Sequence, residues 1–196
     1  GRLDIVFEEL GLDLTQYSLP QFIAVEGCIG VGKTTLTRNI AQLFHHDTLL
    51  EQPEAHPFVE RFYRDPRSAA LQTQLFFLFQ RANQLQHLRY DDSFTQPRVA
   101  DYLMDKDELF ARVTLDDDEF AIYRQVHERL SLNAPTPDLV IYLQAPTQVL
   151  LERIRQRGHA AEQSIDSDYL SALNDAYTQY FHFYDRSPLL IVNAKD

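Results

Sequence analysis

Lys33 lies in a glycine-rich segment whose residue types suit the binding of phosphate groups. Residues 27–35 read Gly-Cys-Ile-Gly-Val-Gly-Lys-Thr-Thr, which contains the pattern G-x-x-x-x-G-K-T. Three of the chain's six glycines fall in this segment. Glycines let the backbone fold around an anion, and the free N–H groups then point at its oxygens. The pattern is that of a P-loop, so the sequence predicts that the chain binds a nucleoside triphosphate.

The residues on either side supply the elements that a P-loop needs. An apolar run, Gln21–Glu26, predicts a buried strand, and an amphipathic helix follows at Lys33–Phe44. Lys33 is expected to reach the β- and γ-phosphates of the nucleotide, and Thr34 to offer its hydroxyl to Mg²⁺. An ordinary glycine turn is the alternative, and the strand and helix argue against it. The predicted phosphate-binding residues are Gly27, Gly30, Gly32, Lys33, Thr34 and Thr35.

Two acidic residues end other predicted strands. Glu51 closes the second apolar run and Asp101 closes the third. In open parallel sheets, ligands bind beyond the carboxyl ends of the strands, so both carboxylates are expected near the γ-phosphate. One would act as a base for an acceptor hydroxyl and the other, Asp101, would lie beside Mg²⁺. A solvated loop acid or a helix cap is the alternative for either residue.

An arginine-rich helix end predicts a lid over residues 153–163. Arg153 and Arg157 are four residues apart and share a helix face, whereas Arg155 points elsewhere. Gly158 is expected to end the helix. Arginines ahead of a loop suit a lid that closes over a transferring phosphate. A basic last turn that complements the helix dipole is the alternative, and the P-loop favours the lid.

These residues require a sheet and helices to position them, and the chain provides both patterns. The near-continuous apolar runs alternate with longer helical stretches, which predicts an α/β fold with a parallel sheet covered on both faces. We expect a P-loop NTPase three-layer sandwich with five parallel strands flanked by helices. The predicted strands are Gln21–Glu26, Thr48–Glu51, Arg98–Asp101, Leu139–Gln144 and Leu189–Val192. The predicted helices are Lys33–Phe44, Ser68–Tyr90, Asp116–Leu130, Thr147–Arg157 and Asp168–Tyr184.

Length and charge limit the class of protein. A chain of 196 residues fits one domain, which we place at residues 21–196 after an N-terminal extension, residues 1–20. The net charge is −11, from 29 acidic and 18 basic residues. Such an acidic chain is a poor candidate for wrapping a nucleic-acid backbone, so no nucleic-acid partner is expected.

Cysteine and hydropathy patterns bear on compartment. Cys28 is the only cysteine, which excludes an internal disulfide and a multi-cysteine metal site and suits a reducing cytoplasm. No run of 18 apolar residues and no signal-like N-terminus occur, so no membrane partner is expected. Long apolar helices outside such sheets commonly pack against a second copy, and we therefore expect a homodimer.

Taken as an ordered set, the motifs resemble those of bacterial deoxynucleoside kinases of the deoxyadenosine/deoxyguanosine kinase type. The resemblance spans about residues 21–192. It rests on residues 23–35, on Glu51-Gln52-Pro53 with His56-Pro57-Phe58 and Phe62-Tyr63, on residues 71–78, on Ala100-Asp101-Tyr102 with Lys106 and Phe110-Ala111, and on residues 137–143 with Arg157-Gly158 and Glu162.

This resemblance implies phosphorylation of the 5′-hydroxyl of a deoxynucleoside by ATP and Mg²⁺, with a purine as the expected base. Glu51 matches the general base of the family, and Gln72 matches the glutamine that pairs with the nucleobase. Tyr63 and Glu162 match the pair that hold the 3′-hydroxyl. The residues that match the lid arginines are Arg153, Arg155 and Arg157.

Other positions on the acceptor side follow from the same resemblance. Phe76 and Phe79 lie on the predicted helix that carries Gln72 and are expected to help enclose the base, with core packing as the alternative. Lys106 stands near where relatives recognise the base, so it either biases base choice or caps a helix.

The chain departs from the family pattern at two places. Tyr102 follows Asp101 where many relatives have arginine, and His159 replaces the second arginine of the lid motif. Two rival functions therefore stay open. One is a nucleoside monophosphate kinase, whose extra phosphate-binding arginines would be Arg61, Arg64 and Arg81. The other is a nucleotide-binding subunit without catalysis, which the missing arginine favours and the intact P-loop opposes.

Overall fold

A parallel five-stranded sheet forms the centre of the protein. The computed structural model describes residues 19–51, 58–90, 96–104, 106–131 and 135–195. The strands are β1 (Phe22–Gly27), β2 (Asp47–Leu49), β3 (Arg98–Ala100), β4 (Leu139–Gln144) and β5 (Leu189–Asn193). Their order across the sheet is β2-β3-β1-β4-β5, and every neighbouring pair is parallel. The predicted parallel sheet of the P-loop NTPase class is confirmed.

Helices cover the sheet and connect the strands. They are α1 (Lys33–Phe44), α2 (Val59–Arg64), α3 (Pro66–Tyr90), α4 (Lys106–Thr114), α5 (Asp117–Ser131), α6 (Thr147–Arg157) and α7 (Ser167–His182), with a 3₁₀ segment at Ala160–Ser164. The five predicted helices are all present. The sequence did not predict α2 and α4, because six and nine residues are too few for a clear helical period.

The central strands are buried on both faces. Val25 of β1 and Val140 of β4 are fully buried, as expected for strands with helices on each side. Along α7, Phe181 stacks on Tyr142 of β4 with ring centroids 4.2 Å apart. This packing fixes the sheet edge from which the functional loops project.

Glu26 is a buried carboxylate in the middle of this core. Its Oε1 accepts a hydrogen bond from Leu103 N at 2.7 Å, and its Oε2 accepts one from the Tyr177 hydroxyl at 3.1 Å and one from Gly27 N at 3.0 Å. The charge is thus held by three donors, as buried charges require. Glu26 ties β1 to the β3–α4 connection and to α7, directly behind the P-loop.

Strand order creates a crevice next to β1. Strand β1 pairs with β3 on one side and with β4 on the other. The carboxyl end of β1 is therefore a topological switch point. Both predicted acids follow strands on the β3 side: Asp101 comes directly after β3, whereas Glu51 lies two residues past β2, which ends earlier than predicted.

Two expectations concern the ends and surfaces of the chain. Residues 1–18, most of the predicted N-terminal extension, lie outside the described residues. Within the described ranges, no helix is both long enough and apolar enough to cross a membrane.

Candidate active site

A small cavity opens at the carboxyl ends of β1 and β3. Its volume is about 110 Å³. The lining residues come from the P-loop, the end of β2, helices α2 to α4 and the lid; they are Ile29, Gly30, Lys33, Thr34, Glu51, Tyr63, Gln74, Phe77, Arg81, Asp101, Lys106, Asp107, Phe110, Arg157 and Glu162. A larger cavity of about 540 Å³ lies between α4 and α7 and contains none of the predicted site residues. Of these two cavities, only the smaller one is lined by predicted site residues, and we call it the cleft.

The P-loop has the backbone shape that its glycines permit. Gly30 has φ +83°, and a Cβ there would lie 2.9 Å from the carbonyl oxygen of Leu150 on α6. Lys33 donates hydrogen bonds to Gly27 O at 2.7 Å and to Cys28 O at 3.3 Å. Burial, and next repulsion from Lys106, lower the pKa of Lys33 from 10.5 to about 8. An anion bound in the loop would favour the charged ammonium.

Thr34 and Asp101 form the part of the cleft that suits a metal ion. The Thr34 hydroxyl donates to Asp101 Oδ2 at 2.6 Å, and the other carboxylate oxygen accepts from Glu51 N at 2.8 Å. A hydroxyl beside a carboxylate is an oxygen donor set of the kind Mg²⁺ uses together with waters and phosphates. The described residues contain no cluster of three or more His, Cys, Asp or Glu side chains that would hold a metal without such help. The residues therefore fit Mg²⁺ bound jointly with a nucleotide.

Glu51 is the centre of a charged network. Its Oε1 is paired with Arg81, and its Oε2 accepts from Lys106 Nζ at 3.0 Å. Arg81 is also paired with Asp107 through its other terminal nitrogen. Arg81, Lys106 and Asp107 are all almost fully buried. The charges alternate in sign along this network, from Asp107 on α4 to Arg81 on α3 and then to Glu51 after β2.

Aromatic rings and burial set the properties of this network. The Arg81 guanidinium lies 5.2 Å from the Phe77 ring centroid and 5.5 Å from that of Tyr102. Such cation–π contacts hold the guanidinium in place. Burial lowers the pKa of Lys106 from 10.5 to about 8, while the Glu26 carboxylate favours its charged form.

The glutamine that lines the cleft is Gln74, two residues after the predicted Gln72. Gln74 is 2% exposed and its Nε2 lies 3.2 Å from Thr114 Oγ1, whereas Gln72 is exposed and does not line the cavity. Each residue of a helix turns the side chain by about 100°, so residues two apart point in nearly opposite directions. The structure therefore places Gln72 on the exposed face of α3 and Gln74 on the cleft face.

Helix α2 and the lid meet at the open side of the cleft. Arg157 donates to Glu162 at 2.5 Å, and both residues line the cavity together with Tyr63. Burial and, next, the Glu162 carboxylate raise the pKa of Tyr63, so its hydroxyl keeps its proton. The predicted pair Tyr63 and Glu162 is thus brought together with one lid arginine.

Several predicted residues lie outside the cleft. Arg153 donates to Val31 O and to Lys195 O, each at 3.4 Å, and so lies against the back of the P-loop. Arg155 is exposed on α6, as its helix phase predicted. Phe76 and Phe79 do not line the cavity, and Phe79 is 48% exposed; on α3 the aromatic residue that lines it is their neighbour Phe77. Thr35 follows Thr34 on α1 and is also outside the lining set.

Sequence reasoning missed two polar residues that line the cleft. Gln74 and Asp107 were not singled out, and Arg81 was named only for the rival monophosphate kinase, although all three are buried there. The signal that identifies them is a polar or charged residue on the buried face of an apolar helix. Arg81 lies seven residues after Gln74, a spacing of two helical turns that puts both side chains on one face of α3.

Comparison with known proteins decides the family. The deoxynucleoside kinase family model matches residues 23–196. The chain belongs to the deoxynucleoside kinase family. It is similar to a deoxyguanosine kinase of Bacillus subtilis, with 36% identity over 159 residues, covering 80% of this chain and 76% of the relative. A deoxyadenosine kinase of Dictyostelium discoideum is 29% identical over 177 residues, covering 87% and 71% of the two chains.

Solved structures agree with the sequence relatives. A deoxyadenosine kinase from M. mycoides with bound dCTP has a TM-score of 0.77, 26% identity, and coverage of 88% of this chain and 90% of the other. This deoxynucleoside kinase is therefore an ATP-dependent phosphotransferase with a small-molecule deoxynucleoside as acceptor, which confirms the predicted family and enzyme class.

The arginines invoked for a monophosphate kinase are engaged within the chain. Arg61 donates to Ser68 O at 2.6 Å, Arg64 pairs with Glu60 at 2.7 Å, and Arg81 is held by Glu51 and Asp107. Arg61 and Arg64 also lie outside the residues that line the cleft. Their geometry gives no support to a binding site for an acceptor phosphate.

Proposed function

We propose that this deoxynucleoside kinase transfers the γ-phosphoryl group of ATP to the 5′-hydroxyl of a purine deoxynucleoside, with Glu51 as the general base. The observation that carries the proposal is the place of Glu51 between two half-sites. Its backbone N–H bonds to Asp101 on the P-loop side, and its carboxylate meets Arg81 on the other side. A base in that position reaches an acceptor hydroxyl and faces the phosphate that the hydroxyl attacks.

The donor half-site consists of the P-loop and the end of β3. Its backbone N–H groups and Lys33 would bind the β- and γ-phosphates. Thr34 and Asp101 would hold Mg²⁺, which neutralises phosphate charge when bound. Lys33 now donates to carbonyls of its own loop, and phosphate oxygens would replace those weaker partners.

The acceptor half-site is the polar cluster on α3 and α4. Asp107 Oδ2 and Arg81 Nε are buried and have no hydrogen-bond partner among the described residues. A buried polar atom without a hydrogen-bond partner costs free energy. The unpaired acceptor and donor here therefore favour the binding of a nucleobase edge that carries a complementary donor and acceptor. We assign Gln74, Arg81 and Asp107 to the base edge of adenine or guanine, and Tyr63 and Glu162 to the 3′-hydroxyl.

The transfer step then follows from these positions. Glu51 accepts the proton of the 5′-hydroxyl while the oxygen bonds to the γ-phosphorus, and the bond from that phosphorus to the bridging oxygen of ADP breaks. Arg157 is placed to neutralise charge on the moving group. Ligand pockets usually measure about 300–1,000 Å³. The cleft holds about 110 Å³, so we expect the lid and the Glu51–Arg81 pair to open when substrates enter.

Replacing the base tests the proposal directly. Glu51→Ala is expected to lower kcat by about 100-fold or more, because a general base contributes on that order, while the Kd for ATP changes little. Glu60→Ala removes an exposed acid of α2 and serves as the control. Turnover of Glu51→Ala close to that of the unmodified enzyme would remove Glu51 from its role.

An acceptor screen tests the purine preference. Initial rates with ATP and Mg²⁺ are compared for deoxyadenosine, deoxyguanosine, deoxycytidine and thymidine. We expect the highest kcat/KM with a purine, in line with relatives described as deoxyguanosine and deoxyadenosine kinases. A pyrimidine as the best acceptor would contradict the assignment of the base edge.

Omitting Mg²⁺ in the presence of a chelator should abolish transfer.

We also propose that the enzyme is a homodimer formed through α3 and α5. These two helices pack on each other, and Phe79 of α3 and Ile122 of α5 are 48% and 52% exposed. Exposed large apolar side chains on adjacent helices favour contact with a second copy. Light scattering should give a dimer mass, and Phe79→Ser with Ile122→Ser should give a monomer. Phe183→Ser, at a residue 75% exposed directly after α7, is the control and should stay dimeric.

A cytoplasmic location completes the proposal. The single cysteine, Cys28, is a buried free thiol, which suits a reducing compartment. Fractionation of expressing cells should recover the enzyme with cytoplasmic markers, and recovery with the membrane fraction would contradict it.

A further inference from the structure

Lys106 occupies a place that base recognition does not explain. It is the first residue of α4, its side chain is 5% exposed, and its ammonium lies 3.0 Å from Glu51 Oε2. Burying an ammonium costs free energy unless an opposite charge compensates it. The carboxylate within ion-pair distance is that of Glu51, the proposed base, and the Glu26 and Asp101 carboxylates also favour the charged form. Its ion pair therefore joins Lys106 to the proposed catalytic carboxylate, a role that differs from the two expected from sequence, base choice or a helix cap.

Arg81, the other cation that pairs with Glu51, has a second ion-pair partner. It is paired with Asp107, and the rings of Phe77 and Tyr102 flank it. A nucleobase that binds the free atoms of Arg81 and Asp107 will compete for the same guanidinium. Arg81 is thus a partner that Glu51 must share once the acceptor is bound.

The end of β3 supplies no cation for Glu51. The residue after Asp101 is Tyr102, which is 2% exposed and donates its hydroxyl to Gln84 Oε1 on α3 at 2.7 Å. Its side chain therefore supports α3 and Arg81 and brings no charge. The ammonium of Lys106 is the cation that contacts Oε2 of Glu51, the carboxylate oxygen that is not paired with Arg81.

We propose that Lys106 is a positioning residue for phosphoryl transfer, holding Oε2 of Glu51 so that Oε1 is free to take the 5′-hydroxyl proton when the nucleoside draws Arg81 away. This inference rests on the proposed role of Glu51. In this role Lys106 acts through Glu51 rather than through a contact with the acceptor. A charge-assisted hydrogen bond from an ammonium fixes the carboxylate orientation more firmly than a neutral donor would.

Steady-state kinetics distinguish positioning from base selection. Lys106→Met keeps the length of the side chain and removes its charge. We expect kcat to fall by about 100-fold, as for misplacement of a reacting group, with the nucleoside KM and the deoxyguanosine-to-deoxyadenosine ratio of kcat/KM changed by less than about threefold. Lys106→Arg restores a cation and is expected to bring kcat back to within about tenfold of the unmodified enzyme. Lys195→Met makes the same chemical change at an exposed lysine and is the matched control.

A double-mutant cycle tests whether Lys106 acts through Glu51. In a Glu51→Gln background, Lys106→Met should cost little further activity, because the group it positions is gone. Equal losses in both backgrounds would overturn the proposal, and so would a changed KM or base ratio with kcat preserved. If Lys106→Met fails to fold by circular dichroism, Lys106→Gln takes its place in both backgrounds. Full turnover of Glu51→Gln alone would instead overturn the role of Glu51, so the two failures are distinguishable.

Discussion

At the scale of single residues, the acceptor site depends on the phase of one helix. Gln72 and Gln74 both lie on α3, but only Gln74 is buried and lines the cleft. Two positions correspond to about 200° of rotation, which is enough to exchange the solvent face for the cleft face. A motif match carries the segment over from relatives, and packing then decides which glutamine points inward.

Paired substitutions distinguish the two glutamines. Gln74→Ala should lower kcat/KM for the deoxynucleoside by about 10-fold or more, since losing a buried hydrogen bond costs about 1–3 kcal/mol. Gln72→Ala should leave it within about twofold, as expected of an exposed side chain. The measurement is kcat/KM for the acceptor at saturating ATP. Equal effects of both variants, or a larger effect of Gln72→Ala, would show that the exposed glutamine reaches the base in the complex.

At the scale of elements, the P-loop is packed directly on the helix that leads to the lid. A Cβ on Gly30 would lie 2.9 Å from both Leu150 O and Ile154 Cγ1 of α6. From sequence, Gly30 has only a backbone role in the loop, because a contact with a helix more than a hundred residues later leaves no local pattern. The donor loop and the arginine-bearing helix are therefore in contact at a position that admits no side chain.

Substituting Gly30 should show the value of this contact. Gly30→Ala combines a positive φ, which costs about 1–2 kcal/mol, with overpacking, which costs about 1–3 kcal/mol more. Gly158→Ala is the matched control, because Gly158 has φ +72° but open space around its missing Cβ. Urea unfolding should show a larger loss of stability for Gly30→Ala, together with weaker ATP binding. Equal losses for the two variants would mean that α6 moves aside at no cost.

At the scale of the whole molecule, the only thiol reports on the integrity of the fold. Cys28 is 1% exposed in the main core cluster, and burial raises its pKa from 9.0 to about 12. The thiolate is the reactive form, so raising the pKa and excluding solvent both suppress reaction with alkylating reagents. Because Cys28 follows β1 within the P-loop, access to it requires that the loop and sheet separate.

Alkylation kinetics should follow unfolding. At pH 8 in the absence of denaturant, iodoacetamide should label Cys28 very slowly, and urea should raise the rate in step with the loss of circular dichroism. Saturating ATP should slow labelling further, because a ligand that binds only the folded state stabilises it. Mass spectrometry measures the modified fraction. Rapid labelling of the folded enzyme, at a rate close to that in urea, would contradict the burial of this thiol.

Prediction from sequence succeeded where the signal is local. Apolar runs such as Leu139–Gln144 identified the strands, and the glycine pattern placed Lys33 and Thr34 correctly at the start of α1. The sequence was not informative where a residue's contacts depend on distant segments. Lys106 and Asp107 are neighbours in sequence, yet one contacts the end of β2 and the other contacts α3. No spacing rule within one segment could assign those partners.

The double pairing of Arg81 has a consequence for how acceptor preference can change over evolution. One guanidinium joins Asp107, which we place at the base edge, to Glu51, which we place at the reacting oxygen. A substitution at residue 107 that admits a new base also changes how Arg81 holds the Glu51 carboxylate. A single substitution therefore changes both base selectivity and turnover. Variant libraries that seek new acceptors should therefore randomise residues 51, 81 and 107 together, because single exchanges start from a partially disabled catalyst.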